Sequence, residues 1–148
     1  MTTEQENLKK QKFLDALYIP QKQGWDKRIV FCHAYLETGD FWHVPNYNYW
    51  GIKVKRGHWE HGENLKTYEY ENGKLKLTTD DFALFGTEFQ AMTFYCFWVK
   101  HTYPLAFADR DNYLKYFDAI QAGGWAEGND HYATDLKDIF DRFKTRKI

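Results

Sequence analysis

The sequence predicts an α+β domain that is mostly α, with one small β-hairpin lobe beside its helices. Apolar residues recur at helical spacing along much of the 148-residue chain, which predicts several amphipathic or buried helices. A single Asn-Gly pair separates two short segments that read as strands, which is typical of a β-hairpin. Because no repeat, linker or low-complexity tract divides the chain, residues 1–148 are interpreted as one domain.

Two helices are predicted near the N-terminus. The first covers residues 4–18 and ends at Pro20, since proline interrupts helices. The second covers residues 25–38. Asp26 stands early in it, where a negative charge favours the helix dipole, and Gly39 follows as a helix stop.

A long loop and a hairpin follow. Residues 40–61 are aromatic and aperiodic, which predicts a loop with one short turn; the density of Trp and Tyr argues against disorder. Residues 65–70 and 74–78 are the predicted strands, and they flank the turn residues Glu71-Asn72-Gly73.

Three helices are predicted after the hairpin. Asp80 or Asp81 caps a long helix over residues 82–101, whose apolar content on nearly every face predicts a central buried helix. The next covers residues 109–122. The last covers residues 135–147, with Thr134 or Asp135 as its N-cap.

Charge and composition argue against several functional classes. Lys plus Arg total 20 and Asp plus Glu total 21, so no large basic field exists to attract nucleic acid. No apolar run is long enough to span a membrane, and residues 1–12 lack the apolar segment of a secretory signal. Aromatic residues form 20% of the chain, more than a small core needs, which suggests a surface that binds flat ligand faces.

Glu37 is the strongest candidate for chemistry because it stands at the C-terminal end of the second predicted helix. The partial negative charge of a helix C-terminus and crowding by Trp42 or Trp50 both oppose ionisation of the carboxyl group. Both effects raise its pKa toward the range that suits a general acid. Taken alone, the same pattern is more often a solvated glutamate on a polar helix face.

Two further positions can join Glu37 in a cleft. Glu69 lies on the predicted hairpin, and a hairpin that projects over a cleft would bring it opposite Glu37 as a carboxyl pair. A solvated strand glutamate is the alternative. Tyr132 stands just before the last predicted helix and can point its phenol into the same cleft.

Metal and thiol chemistry are not expected. His58 and His61 flank Glu60, but they are three residues apart instead of four and no third ligand is evident, so no metal is predicted. Cys32 and Cys96 lie among apolar residues, which raise the pKa of a thiol, and both are interpreted as buried. No cofactor is expected.

Four short motifs occur in order along the chain: Glu37-Thr38-Gly39, Asn48-Tyr49-Trp50-Gly51-Ile52-Lys53, Thr67-Tyr68-Glu69-Tyr70-Glu71-Asn72-Gly73 and Tyr132-Ala133-Thr134-Asp135. The ordered set covers residues 25–140 and resembles the glucosaminidase family of bacterial and phage peptidoglycan hydrolases, within the lysozyme-like superfamily. This domain occurs in the flagellar muramidase and in autolysins. The sequence departs from the family pattern at Asp40, where a tryptophan usually follows the glycine.

The resemblance implies a lysozyme-like fold and cleavage of the β-1,4 glycan backbone by an endo-β-N-acetylglucosaminidase. It implies Glu37 as general acid, Glu69 as second carboxylate on a mobile β-lobe, and Tyr132 as the residue that orients substrate or stabilises the transition state. Either Glu69 activates water, with inversion, or the 2-acetamido group of the substrate acts as nucleophile. The residues expected to contact glycan are Trp42, Asn48, Tyr49, Trp50, Tyr68 and Thr134, with Tyr47 and Trp59 as further stacking rings.

The expected partner is the glycan strand of peptidoglycan, bound by a monomer that acts at the cell wall or periplasm. The lack of a signal peptide and of a wall-binding repeat suggests a phage endolysin or virion-associated lysin delivered by other proteins. Two alternatives stay open: a glycan-binding or phage tail structural domain without catalysis, motivated by Asp40, and a wall peptidase with a metal at His58 and His61.

Overall fold

The computed structural model describes residues 2–54 and 62–148. Its helices are α1 Thr3–Ala16, α2 Tyr18–Lys22, α3 Lys27–Thr38, α4 Glu88–Thr102, α5 Pro104–Ala108, α6 Tyr113–Ala122 and α7 Tyr132–Phe143. Strands β1 Gly62–Glu71 and β2 Lys74–Ala83 pair antiparallel in one hairpin. The predicted class, α+β and mostly α, is confirmed.

The helices before the loop follow the sequence signals closely. Asp26 accepts a hydrogen bond from the Arg28 backbone N–H at 2.9 Å, which caps α3. Gly39 ends α3 with φ 60°, the left-handed conformation that glycine adopts at low cost. Pro20 does not end a helix as predicted, since it lies in the first turn of α2, where its missing N–H breaks no helical hydrogen bond.

The prediction of a helix from residue 82, capped by Asp80 or Asp81, is wrong. β2 continues to Ala83, and Asp80 and Asp81 pair with Leu65 and Asn64 of β1. Burial along this part of β2 alternates with a period of two, which is the pattern of a strand with one covered face. Helix α4 begins only at Glu88, after its N-cap Thr87.

The later helices also differ from their predicted bounds. The predicted helix over residues 109–122 begins at Tyr113, because the Asn112 side chain caps it there. Thr134 and Asp135 are not caps, since α7 begins at Tyr132 and the N-cap is His131. Helix α4 is not buried on nearly every face: Phe89 and Phe97 are exposed, while its other face enters the core.

The core is largely aromatic. The ring of Phe13 lies within 4.9 to 6.5 Å, centroid to centroid, of four other rings: Phe31, Phe41, Tyr49 and Trp50. Trp50 also stacks on Tyr95 of α4 at 4.2 Å. Cys32 and Cys96 are buried thiols as predicted, and burial raises the pKa of each to about 12.

Helices α3 and α7 pack against each other, which brings the end of α3 beside the start of α7. The loop after α3 contains a short 3-10 helix at Pro45–Tyr47, where the sequence predicts a short turn within residues 40–61, although 55–61 lie outside the described residues. The Ala83 N–H donates to the Ile52 carbonyl at 2.8 Å, so this loop is bonded to the end of β2. Within residues 2–54 and 62–148, every helix is too short or too polar to cross a bilayer.

Candidate active site

A cleft with a volume of about 300 Å³ lies between the helices and the hairpin. The end of α3 contributes Glu37, the start of α7 contributes Tyr132, and β1 contributes Glu69. The structure therefore brings the three predicted catalytic residues into one cleft. Its other lining residues include Asn48, Trp50, Gly51, Lys53, Tyr68, Tyr70, Trp125 and Glu127.

Glu37 is half-buried and receives two hydrogen bonds. The Tyr132 hydroxyl donates to Oε1, and the Trp125 indole is the second donor. Burial raises the pKa of Glu37 to about 7, although the hydrogen bonds from Tyr132 and Trp125 oppose this rise. The charge of Glu69 raises it further and that of Lys53 lowers it. A carboxyl group with this pKa carries a proton that it can donate near neutral pH.

The predicted cause of the raised pKa is corrected in one respect. Trp42 is 52% exposed and lies outside the lining of the cleft, so it does not crowd the carboxyl group. The ring that hydrogen-bonds Glu37 is instead that of Trp125, which follows Gly123 and Gly124 between the predicted helices over residues 109–122 and 135–147. The sequence offered one sign of its role, a tryptophan that lies outside the predicted helices.

Glu69 is held by a salt bridge. Lys53 Nζ lies 2.5 Å from Glu69 Oε1 and 3.1 Å from Asp80 Oδ2, so one ammonium group joins the two strands. Burial lowers the pKa of Lys53, but its bonds to the two carboxylates outweigh burial and the pKa is raised. Lys53 thus remains charged at the floor of the cleft and pairs with the Glu69 carboxylate.

Asn48 is buried, and its side chain is fully engaged with the backbone. Its amide group donates to the Ile52 carbonyl at 2.8 Å and to the Ala83 carbonyl at 3.1 Å. Its carbonyl oxygen accepts from the Ile52 N–H at 3.0 Å. Asn48 therefore shapes the floor by joining the loop to the hairpin.

The five predicted glycan contacts other than Asn48 differ in where they lie. Trp50 and Tyr68 line the cleft. Tyr68 is 64% exposed and open to a ligand, whereas Trp50 is fully buried and its ring packs on Tyr95, so Trp50 supports the wall of the cleft from the core. The prediction for Tyr49 is wrong, because its side chain is buried in the core. Trp42 and Thr134 are exposed but lie outside the lining of the cleft, so the structure does not bring them together with Glu37.

Tyr47 lines a separate groove beside α1 and does not join the cleft. His58, Trp59 and His61 lie outside the described residues. In the part of the chain that is described, no three His, Cys, Asp or Glu side chains gather as a metal site.

Sequence reasoning missed His33. It precedes Glu37 by four residues on α3, a spacing that places both side chains on one helix face. His33 is fully buried, and its Nε2 lies 3.0 Å from the Tyr132 hydroxyl oxygen. Tyr132, which donates to Glu37, is therefore itself hydrogen-bonded to His33.

No protein-family model matches the sequence, and no curated relative does either. Solved structures do match. A peptidoglycan hydrolase mutant from Sphingomonas sp. A1 is 25% identical with a TM-score of 0.74, over 88% of this chain and 86% of that one. A C-terminally truncated glycoside hydrolase domain from Salmonella typhimurium FlgJ is 20% identical with a TM-score of 0.69, over 92% and 95%.

An N-acetylmuramoyl-L-alanine amidase from Staphylococcus aureus is 18% identical with a TM-score of 0.75, over 97% of this chain and 43% of that one. The likeness to these structures extends over nearly the whole chain. This chain therefore has the glucosaminidase-type peptidoglycan hydrolase fold that its four sequence motifs predict.

Proposed function

We propose that this protein hydrolyses peptidoglycan by cleaving its β-1,4 glycan backbone, as an endo-β-N-acetylglucosaminidase. The observation that carries the proposal is Glu37, a half-buried carboxyl group with a pKa raised to about 7 at the wall of a cleft. The fold supports the same class, since structures with this fold include peptidoglycan hydrolases. A protonated carboxyl and a second carboxylate in one cleft are the groups that glycoside cleavage uses.

In this mechanism Glu37 donates its proton to the bridging oxygen as positive charge develops on the sugar ring. The leaving sugar keeps the bond electrons and departs as an alcohol, and Glu37 becomes a carboxylate. Tyr132 and Trp125 stabilise that carboxylate because both are hydrogen-bond donors to it. Tyr68, exposed on the hairpin side of the cleft, presents a ring face to the sugars.

The nucleophile is proposed to be the 2-acetamido group of the substrate. Glu69 is engaged with Lys53 at 2.5 Å, so its lone pairs are less available to activate water. Its negative charge still lies close enough to Glu37 to affect the pKa there, and it can stabilise the cationic sugar. Water then opens the resulting oxazolinium ring and gives up a proton to the Glu37 carboxylate, which restores the acid, with net retention at the anomeric carbon.

Glu69→Gln is therefore expected to lower kcat by only about tenfold, because it removes charge stabilisation and leaves the nucleophile in place. NMR of the first product should show the β-anomer in the wild type. Glu71→Gln is the matched control, an exposed carboxylate on the same strand that pairs with Lys76. First release of the α-anomer, with a loss of about 10³ in Glu69→Gln, would instead make Glu69 the base.

Gly51 provides a test of the space beside the acid. A Cβ at Gly51 would lie 3.4 Å from Glu37 Oε2, and the φ of this residue is +62°. Gly51→Ala is expected to lower kcat about tenfold by intruding on the route of the proton. Gly73→Ala controls for backbone strain, because φ there is +76° and, among the described residues, nothing beyond its own chain neighbours lies within 4 Å of the added Cβ. Equal kinetics in the two variants would contradict the expectation.

The bond itself is identified by digesting purified peptidoglycan, reducing the products with borohydride and analysing them by mass spectrometry. N-acetylglucosaminitol at the new ends is the expected product. Muramitol ends would indicate the other glycosidic bond, and free stem peptide without new reducing ends would indicate an amidase. Glycan binding without any product would favour the non-catalytic domain.

The non-catalytic alternative depends on Asp40, which stands where the family pattern has tryptophan. Its carboxylate lies 2.9 Å from Lys10 Nζ on α1, and Asp40 does not line the cleft. The departure from the family pattern at this position therefore leaves the surroundings of Glu37 intact, which favours the hydrolase.

A further inference from the structure

A chain of buried hydrogen-bonding groups extends from Glu37 into the core. Behind Tyr132, His33 Nε2 lies 3.0 Å from the Tyr132 hydroxyl and His33 Nδ1 lies 2.8 Å from the Tyr95 hydroxyl. The Tyr95 hydroxyl lies 2.6 Å from that of Tyr116. Side chains from α3, α4, α6 and α7 thus form one continuous relay, defined here as Tyr132, His33, Tyr95 and Tyr116.

The imidazole in this relay is uncharged. His33 is fully buried, and burial lowers its pKa to about 3. The rings of Tyr95, Tyr132 and Trp125 pack against it, and none of these three is charged near neutral pH. A neutral imidazole has one N–H donor and one acceptor nitrogen, so its tautomer determines the direction of every hydrogen bond in the relay.

The Glu37 end of the relay favours one direction. The Tyr132 O–H donates to Glu37 Oε1, the direction that the ionised form of Glu37 requires because a carboxylate only accepts hydrogen bonds. The Tyr132 oxygen is then an acceptor toward His33 Nε2, which must carry the imidazole proton. His33 Nδ1 is left as an acceptor for the Tyr95 O–H.

The opposite end favours the same direction. Among the described residues, the indole N–H of Trp25 makes no hydrogen bond that meets the usual geometric limits. Burial raises the pKa of the Tyr116 hydroxyl, and the Trp25 indole lies close enough to that hydroxyl to oppose the rise. An indole N–H only donates. It therefore favours a Tyr116 oxygen that accepts and a Tyr116 O–H that points to Tyr95.

We propose that His33 is a positioning residue: protonated on Nε2, it keeps the Tyr132 proton on Glu37 Oε1, so that the acidic proton of Glu37 resides on Oε2. Oε2 is the oxygen beside Gly51, a residue that lines the cleft. The assignment rests on the proposed function of Glu37 as general acid. In the reversed relay, with His33 protonated on Nδ1, the Glu37 proton would sit on Oε1 and point at Tyr132, away from the cleft.

The tautomer is measured directly on the intact protein by NMR with ¹⁵N-labelled histidine, the signals of His33 being assigned from their loss in His33→Gln. A protonated Nε2 and an unprotonated Nδ1 are expected both at pH 5 and at pH 8. A protonated Nδ1 at either pH would overturn the proposal. This measurement requires no enzymatic activity.

Kinetics test the consequence. His33→Leu is expected to lower kcat on the order of tenfold to a hundredfold with KM unchanged, because His33 does not line the cleft. Without the N–H behind it, Tyr132 becomes a weaker donor to Glu37, so the alkaline limb of the pH profile moves up by roughly half a unit. The other groups facing Glu37 are Trp125, Lys53 and Glu69, which this variant leaves in place.

His33→Gln is the conservative variant, since its amide offers one donor group and one acceptor with a similar separation. It is expected to restore kcat to within about threefold of wild type. Should His33→Leu fail to fold, Tyr95→Phe removes the donor to Nδ1 with little change of volume. Tyr49→Phe is its control, a buried tyrosine outside the relay with kinetics expected to be unchanged. A loss of folded protein without any change in kcat or pH profile would leave His33 a structural residue and contradict the proposal.

Failure of the two proposals can be told apart. The Glu37 carboxyl is titrated by ¹³C NMR in wild type and in His33→Leu, with its signal assigned from Glu37→Gln. A higher Glu37 pKa in His33→Leu is expected even if the wild type cleaves no glycan, in which case the proposed function fails and the relay stands. An unchanged Glu37 pKa in an active enzyme would refute the relay alone.

Discussion

Glu37→Gln is expected to lower glycan cleavage by about 10³-fold or more, the upper part of the range for loss of a general acid. Glutamine keeps the shape of the side chain and an oxygen that accepts from Tyr132 and Trp125, the two donors to Glu37. It has no proton of suitable acidity to donate to the bridging sugar oxygen. Release of reducing ends from purified peptidoglycan measures the loss.

The same experiment needs proof that Glu37→Gln is folded, for which circular dichroism and the unfolding midpoint suffice. Glu71→Gln is the control for removal of a carboxylate, because Glu71 is exposed and pairs with Lys76 on the hairpin. Its activity should equal that of the wild type. More than a tenth of wild-type activity in Glu37→Gln would remove Glu37 from the role of general acid.

The pH dependence is expected to show an alkaline limb at about pH 7, the pKa to which burial raises Glu37. Above that pH the acid form is lost, so kcat/KM should fall about tenfold for each pH unit. Initial rates on a soluble glycan fragment between pH 4 and pH 9 measure the limb. A rate that stays constant to pH 9 would show that the proton comes from another group.

Stability should depend on pH through the same carboxyl group. The pKa of Glu37 is higher in the folded state than its ordinary value of 4.5, so the folded state binds the proton more tightly. Its contribution is fully present below pH 4.5 and is lost as pH rises through 7. Above pH 7 the folded wild type has a buried, ionised carboxylate, which lowers its stability. Glu37→Gln removes that ionised group and is therefore expected to be more stable than wild type at pH 8, by up to about 3 kcal/mol, and not at pH 4. Urea unfolding at both pH values measures the difference.

Local signals in the sequence account for the elements that were predicted well. Asp26 and Gly39 mark the two ends of α3, because a carboxylate cap and a left-handed glycine determine helix ends through contacts within a few residues. The hairpin turn is at Asn72 and Gly73, whose φ values of 53° and 76° are those that an Asn-Gly pair tolerates.

The errors arise where distant contacts decide the structure. Residues 82–85 are apolar enough to continue a helix, but the Ala83 N–H bonds to Ile52 and the Phe85 N–H bonds to Asn46. Those bonds join segments more than 30 residues apart and extend the strand, and local periodicity carries no trace of them. Helix α4 therefore begins at Glu88 and not at residue 82.

The candidate site was predicted in part for the same reason. Glu37, Glu69 and Tyr132 were placed together by their motifs, and the cleft contains all three. A count of aromatic rings cannot distinguish a ring that packs in the core, such as Tyr49, from one that faces a ligand, such as Tyr68. His33 was missed because a lone histidine on an apolar face gives no signal of its partners.

The stack of Trp50 on Tyr95 connects the packing of the core to the active site. The Trp50 ring is packed at 4.2 Å against a tyrosine whose hydroxyl bonds to His33, and His33 bonds to the partner of Glu37. Core side chains are thus connected to Glu37 through an unbroken series of contacts. Substitutions that repack the core around Trp50 to raise thermal stability are therefore expected to lower kcat as well. Substitutions on the exposed face of α4, around Phe97, do not alter these contacts.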